Sequence, residues 1–187
     1  NPVARGAGRS HHSEVRQRPD ELTSRLVEVA ALFVVCGQGP RVDQVVSLAV
    51  DLIVAQTQGY PYFLQEWGKC AWDVADASPI TADDVATASR EAVAALDESF
   101  FRVRFDRLTQ SEKKYLRGMA ELGPGPHRSG DIAQQLGRTV ASFGPVRGAL
   151  IAKGMIWSPT HGDTAFTVPL FDDFMKRIMP GDAWRAT

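Results

Sequence analysis

The sequence predicts a mainly α-helical protein in which a small helical bundle is followed by a second helical unit that ends in a two-stranded β-hairpin. Apolar residues recur at spacings of three and four through most segments after residue 42. Gly, Pro and capping pairs separate these segments. Near residue 160, two short runs of β-branched and aromatic residues surround a Gly turn, which is the pattern of a hairpin.

The composition excludes several classes of protein. Of the 187 residues, 44% are hydrophobic and 23% are charged, an ordinary balance for a globular protein. No stretch approaches the roughly 20 consecutive apolar residues that cross a bilayer, and no apolar segment of a secretory signal follows the N-terminal charges. Cys36 and Cys70 lie far apart and fit buried thiols in a reducing compartment better than a disulfide. We therefore expect a cytoplasmic protein with no membrane partner.

The charge is divided unevenly along the chain. Residues 1–101 hold 8 Lys and Arg against 14 Asp and Glu, whereas residues 102–187 hold 13 against 8. The net charge of −1 is thus the balance of an acidic half and a basic half. This asymmetry predicts two regions with different partners, and the basic half is the better candidate for contacts with phosphate groups.

The first forty residues give weak signals. Residues 1–20 are rich in Arg, Gly and Ser and have no apolar period, so we predict disorder there. His11 and His12 have no acidic or Cys partner at ligand spacing, which argues against a metal site. Residues 21–36 carry an apolar stripe and are predicted to form a helix, which the GQGP segment at 37–40 ends.

Two helices with a very short connection are predicted next. The first begins near Val42 and ends at the segment TQG, where Gly59 provides a left-handed cap. Pro61 then takes the first position of a helix over about residues 61–76, since the N–H that Pro lacks is not needed there. A Gly followed two residues later by a Pro is an ordinary way to end one helix and begin the next.

A third helix completes the predicted bundle. Thr81 and Asp84 stand at capping-box spacing and open a helix over about residues 82–98. The segment SFFRVRF at 99–105 is interpreted as a hydrophobic junction. The bundle is therefore predicted to span residues 21–103.

The second unit begins with another capping box. Thr109 and Glu112 start a helix that is predicted to end at Gly123. The segment PGPHRS that follows is predicted as a loop. Ser129 is predicted to cap a short helix, which Gly137 ends.

The last elements complete a recognisable order. Ser142 is predicted to cap a further helix, which tolerates Pro145 in its first turn. The runs MIWSP and TAFTVP around THGD predict the hairpin, and LFDDFMKRIM predicts the final helix. Helix, short helix, helix and hairpin is the order of a winged helix-turn-helix, predicted here over residues 104–180 with a tail over 181–187.

A helix-turn-helix places its second helix in the major groove, with the N-terminal residues of that helix nearest the bases. An Arg there reads guanine or grips phosphate, and hydroxyl side chains contact phosphate. Candidate contacts to duplex DNA are Arg128, Arg138, Thr139, Ser142, Arg147, Lys153 and His161. Asp163, beside His161 in the hairpin turn, opposes a phosphate contact. The alternative is a protein-docking or nucleotide-sensing module that binds no DNA.

Three other patterns are discounted as chemistry. His127, Ser129 and Asp131 lie close together in the sequence, whereas members of a hydrolase triad are usually far apart. Asp172 and Asp173 are neighbours on a helix, so their carboxylates point in different directions. The two Cys and the scattered His lack zinc-ligand spacing. We expect no catalytic residue and no metal site.

Four long phrases of the chain carry a family resemblance. In order they are GYPYFLQEWGKCAWDVA, SPITADDV, LDESFFRVRFDRLTQSEKKYLRGMAELG and LIAKGMIWSPTHGDTAFTVPLFDDFMKR. Together they resemble the C-terminal region of bacterial and archaeal-type P-loop ATPases of the AAA+/STAND kind. In those proteins a nucleotide-binding core is followed by a helical lid and then a winged helix. The resemblance covers about residues 42–180 and implies that the bundle is lid-like.

The resemblance also implies ligands and partners. For the full-length family it implies ATP or ADP with Mg²⁺, whereas no cofactor is expected in this chain. The implied partners are an ATPase core domain of the same or another chain, a second copy in a homo-oligomer, and duplex DNA.

The lid of that family carries a Gly-x-Pro motif, which corresponds here to Gly59, Tyr60 and Pro61. The resemblance implies that these residues face a nucleotide in a complete ATPase, with the Pro near the base. Tyr60 and Tyr62 flank the Pro, and we expect them to meet a partner outside this chain.

The sequence lacks a P-loop, which needs Gly, four residues and then Gly-Lys-Ser/Thr to bind phosphates. The pair Gly68 and Lys69 is followed by Cys70, and Phe63 stands where the first Gly is required. We therefore expect no ATPase activity from this chain, which by itself is not an enzyme.

Overall fold

A computed structural model of the protein describes residues 40–185. The predictions of disorder over residues 1–20 and of a helix over residues 21–36 lie outside this range, as does Cys36. None of the helices within residues 40–185 is both long and apolar enough to cross a membrane. The described part of the chain is mainly helical and carries one small antiparallel sheet.

The bundle is built of α1 (Pro40–Thr57), α2 (Pro61–Val74) and α3 (Ala82–Leu96). Between α1 and α2, Gly59 has a φ of +69°, and its N–H donates to the carbonyl of Val54 at 3.2 Å. Pro61 lies in the first turn of α2. Both junction predictions are confirmed, because a left-handed Gly ends one helix and Pro begins the next.

The start of α3 is also confirmed. The hydroxyl of Thr81 accepts a hydrogen bond from the Asp84 N–H, and the Asp84 carboxylate accepts one from the Thr81 N–H at 2.8 Å. These reciprocal bonds satisfy backbone donors that the first turn of a helix otherwise leaves unpaired.

The end of α3 differs from the prediction. A π-helical turn (Asp97–Phe101) continues directly into α4 (Arg102–Asp106), so the junction predicted over residues 99–105 is helical. No Gly or Pro interrupts the segment, and Phe101 and Phe105, four residues apart, are both buried. The boundary expected after residue 103 lies within this helical run.

The second unit begins with α5 (Gln110–Glu121), whose capping box of Thr109 and Glu112 is present as predicted. Gly123 and Gly137 follow α5 and α6 with φ values of +98° and +63°. The remaining helical elements are α6 (Ser129–Gln135), a 3-10 turn (Val140–Phe143), α7 (Gly144–Ala152), α8 (Phe171–Ile178) and a final 3-10 turn (Ala183–Arg185).

The sheet has three strands rather than the two of the predicted hairpin. β2 (Ile156–Trp157) and β3 (Asp163–Phe166) form the antiparallel hairpin, with Ile156 opposite Phe166. β1 (His127–Arg128) pairs with the other edge of β3, which gives the order β1-β3-β2. The loop predicted over PGPHRS is therefore wrong at its last two residues before Ser129. A two-residue strand is too short to show the alternation by which strands are recognised.

Two predicted helix caps are wrong. Ser129 is the first residue of α6, and its hydroxyl and its N–H both donate to the carbonyl of Gly162 at 2.9 Å. Ser142 lies inside the 3-10 turn, and its hydroxyl donates to the carbonyl of Thr139 at 2.6 Å. A Ser hydroxyl bonds readily to any nearby carbonyl, so its presence near a helix start does not identify the cap.

The core joins the bundle to the C-terminal helices. The ring centroid of Phe101 lies 5.6 Å from that of Phe63 in α2 and 5.2 Å from that of Phe174 in α8. All three side chains are buried. Such aromatic pairs add about 1 kcal/mol to the free energy that burial of their area already contributes. The described residues accordingly form one compact unit.

Candidate functional site

The helix that was predicted to enter a DNA groove is α7, together with the 3-10 turn before it. Leu150 is fully buried on its inner side. On its outer side, Val140 and Ile151 are 50% and 38% exposed. The other exposed residues of this segment are Ala141, Ser142, Gly144, Pro145, Gly148 and Ala152. Arg147 is the only charged residue from 139 to 152, so the outer surface of α7 is small, apolar and uncharged.

Arg147 connects α7 to the hairpin. Its Nε donates to Thr164 Oγ1 at 3.0 Å, and its Nη2 donates to Ser158 Oγ at 2.9 Å and to the Asp163 carbonyl at 3.2 Å. Thr164 is fully buried and Arg147 is half-buried. The guanidinium thus positions the hairpin against α7, a role that the sequence did not predict. Its contact with DNA stays a prediction.

Lys153 also bonds within the protein, although its own side chain is exposed. Its Nζ lies 2.7 Å from Oε2 of the buried Glu112 and donates to the Arg107 carbonyl at 3.1 Å. Burial pushes the pKa of Glu112 up, but hydrogen bonds from Lys153 and from Thr109 outweigh this effect, so its pKa lies below the usual range. Glu112 is therefore an ionised carboxylate that closes a capping box and pairs with the end of α7.

The other predicted DNA contacts are accessible. Arg128 and Arg138 are exposed, and no described residue forms a hydrogen bond or ion pair with either side chain. His161 is exposed in the turn between β2 and β3. Thr139 is exposed, and its carbonyl accepts the bond from Ser142. The predicted set therefore includes the exposed Arg128 and Arg138 and two bonded cations, Arg147 on α7 and Lys153 directly after it.

The Gly-Tyr-Pro segment lies at an aromatic corner of the bundle. The ring of Tyr60 is half-buried, 4.6 Å from that of Phe63. Tyr62 is 43% exposed and stacks on Phe100 at 5.1 Å with an interplanar angle of 22°. Pro61 is exposed. Of the residues expected to meet a partner, Tyr60 thus packs mainly within the chain, whereas Pro61 and Tyr62 present an open edge.

A polar triad that the sequence did not reveal lies inside the bundle. Gln56 Oε1 is 2.7 Å from Trp67 Nε1 and 2.5 Å from Ser89 Oγ. The three residues come from α1, α2 and α3 and line one cleft. A signal was present in α3, because Ser89 stands between the fully buried residues Val85 and Ala92 on the apolar stripe. A polar residue at such a position needs a buried partner.

Residues that were discounted as catalytic groups make contacts within the fold. His127 Nε2 lies 2.9 Å from the Gly123 carbonyl, and Ser129 bonds to Gly162. Asp172 is buried, and burial together with the charge of Asp173 raises its pKa, which Lys176 partly opposes. Among residues 40–185, no group of three or more His, Cys, Asp and Glu side chains is placed to hold a metal ion.

The family model that matches the chain covers part of its second half. No curated protein and no solved structure matches the chain. A protein family described as a domain of unknown function (DUF8462) matches residues 98–175, which run from the π-helical turn after α3 into α8.

Proposed function

We propose that the chain is a non-catalytic lid and winged-helix module of an AAA+/STAND-type ATPase, and that α7 docks on the ATPase core rather than reading DNA bases. The succession of β1, α6, α7, β2 and β3 after α5 supports a winged helix, since it combines a helix-turn-helix with an antiparallel hairpin. The resemblance of residues 42–180 to such ATPases supports the proposal that the full-length protein is an AAA+/STAND-type ATPase.

The outer surface of α7 is the observation that carries the docking proposal. The bidentate contacts of direct readout in the major groove use Arg, Lys, Asn or Gln side chains on the inserted helix. The exposed residues from Val140 to Ala152 include none of these types, and Arg147 is bonded to the hairpin. The centre of a protein interface, by contrast, is depleted of charged residues. The surface around Val140 and Ile151 therefore suits a protein partner.

Co-purification with the ATPase core tests the proposal. The core to be tested is any P-loop domain found in the coding sequence upstream of Asn1 or in a neighbouring reading frame. We expect it to bind the wild-type module and to lose most of its affinity for Ile151→Glu, because the carboxylate would be desolvated in the interface. Val103→Glu is the matched control, since Val103 is also exposed, at 47%, but lies on α4.

Two outcomes would contradict the proposal. Equal binding of the core by wild type and Ile151→Glu would remove α7 from the interface. The absence of a P-loop domain from both neighbouring coding regions would remove the ATPase assignment itself. Melting temperatures of both Glu variants near that of wild type are required for the comparison, since a surface charge should change stability little.

Duplex DNA is the second candidate partner, because Arg128, Arg138 and His161 are exposed and phosphate contacts need only free cations near the groove. Titration of a fluorescent duplex at several salt concentrations distinguishes it. Affinity that falls steeply with salt, with a slope reduced by about one for each of Arg128→Ala and Arg138→Ala, would favour DNA. Failure to bind at low salt would exclude it.

A further inference from the structure

A cleft of about 250 Å³ lies between the bundle and α8. Its apolar walls are Val93, Leu96, Phe101 and Leu170. An apolar cavity of about 150 Å³ in another protein is known to hold benzene. The cleft therefore has room for a single six-membered ring with a small substituent.

Gln56 lines this cleft and carries its candidate hydrogen-bond donors. Its Oε1 accepts from the Trp67 indole N–H at 2.7 Å. The single hydrogen of the Ser89 hydroxyl is within reach of both this Oε1 and the Val85 carbonyl. An indole N–H only donates, so the carboxamide cannot be turned over without placing two donors against each other. The Nε2 group is consequently the free end, and no described residue accepts from it. Two unpaired N–H donors beside an apolar wall fit a carbonyl oxygen.

The charged residues that line the cleft already have partners. Arg177 makes a two-fold contact with Asp97 at 2.7 and 2.8 Å. Asp173 lies 3.5 Å from the Nζ of Lys176. An ionised ligand would lose part of its hydration in this half-open cleft and find no unpaired counter-charge among the residues that line it. These contacts favour a neutral ligand.

Two unusual backbone features shape the walls. Leu170, at the start of α8, has a φ of +62°, which is rare for a residue with a side chain. Phe101 is supplied by the π-helical turn. Such backbone features occur frequently at binding sites. Both residues line the same cleft.

We propose that this cleft binds a small neutral molecule with one planar ring and a carbonyl oxygen, which accepts from Gln56 Nε2. The ring would pack between Phe101 and the aliphatic walls. Because the cleft joins α3 to α8, the ligand would also hold these two helices together. This site is separate from the α7 surface, so its occupation does not depend on the docking partner.

Benzamide and benzoate are the probes that test the site, because they have the same ring and similar shape but differ in charge. Binding to the full chain is followed by ligand-detected NMR and by the melting temperature. We expect saturable binding of benzamide and at least about tenfold weaker binding of benzoate, since desolvating an unpaired charge costs more than one hydrogen bond contributes.

Two variants locate the binding. Gln56→Glu keeps an acceptor for Trp67 and Ser89 but removes the free donors, so benzamide affinity should fall about tenfold. Val93→Phe fills the cleft and should abolish binding, whereas Val103→Phe, an exposed position outside it, should not. Retained melting transitions show that each variant is folded. No saturable benzamide binding to wild type, or unchanged binding to Val93→Phe, would overturn the proposal.

Discussion

The bundle and the C-terminal region share one apolar core but differ in the polar contacts that are added to it. In the bundle, large apolar side chains such as Phe63 and Trp67 fill the space between helices whose ends are set by local backbone signals. In the C-terminal region, cations join elements that are distant in sequence: Arg117 bonds to the chain end, Arg147 to the hairpin and Lys153 to α5. The difference teaches that part of a basic surplus can be used for contacts within the protein.

The largest expected effect is at Arg117, which is 4% exposed. Its Nε donates to the Met179 carbonyl at 2.8 Å, its Nη1 contacts Glu121, and its guanidinium lies 5.1 Å from the Trp184 ring. Removing one partner from a buried ionic contact is costly, so Arg117→Ala should lower the free energy of unfolding by about 3 kcal/mol. Urea denaturation measures this change.

Arg102 offers the matched control for Arg117. It forms an exposed contact with Glu98 at 4.0 Å with the same four-residue spacing. Arg102→Ala should change stability by less than about 0.5 kcal/mol, because exposed ion pairs contribute little. Equal losses for the two variants would show that burial does not distinguish the C-terminal cations.

The next effect concerns Arg147. If this Arg mainly positions the hairpin, Arg147→Ala should lower the free energy of unfolding by about 2 kcal/mol, since it removes three hydrogen bonds to one half-buried group. Arg128→Ala and Arg138→Ala should stay within about 0.5 kcal/mol of wild type. If Arg147→Ala is as stable as wild type, Arg147 does not position the hairpin and is again a candidate for contact with a partner.

The smallest effect is expected at Glu112 and depends on pH. Glu112→Gln keeps an acceptor in the capping box but removes the charge that pairs with Lys153, so at pH 7 it should cost about 1 kcal/mol. The pKa of Glu112 is lowered in the folded state, so its ionic contribution is present above the unfolded pKa of about 4.3. That contribution is lost as pH falls through the folded pKa.

The stability difference between wild type and Glu112→Gln should therefore shrink as the pH is lowered below about 4.3. Asp84→Asn is the matched control, because Asp84 closes the equivalent capping box of α3 and no cation bonds to its carboxylate. It should show the smaller loss at pH 7. A difference for Glu112→Gln that is constant with pH would contradict the role of the Lys153 contact.

The helix ends were predictable because their signals are local. Gly59 and Pro61 define one junction within three residues, and each capping box needs only a hydroxyl and an acidic residue three positions later. The hairpin was predictable for the same reason, since its two strands and Gly turn are contiguous. The two-residue strand β1 was not, because it is defined only by its pairing with β3.

The roles of the candidate site residues were less predictable because they depend on long-range contacts. Arg147 has the residue type of a DNA contact, but its partners Ser158 and Thr164 lie 11 and 17 positions away. Lys153 meets Glu112 across 41 positions. The spacing of apolar residues along each helix gives no information on contacts between residues so far apart, so neither the Arg147 contacts nor the Lys153–Glu112 contact could be predicted. The polar triad of Gln56, Trp67 and Ser89 was not predictable either, since its three members lie on three different helices.

The unbroken helical run from Ala82 to Asp106 has a mechanical consequence. At 1.5 Å per residue it is a rod about 37 Å long that belongs to both regions. Because no loop interrupts the run, torque applied at Thr81 is carried towards Arg107 along a continuous helical backbone. The wider hydrogen-bonded loops of the π-helical turn, near the middle of the rod, are where twisting would concentrate.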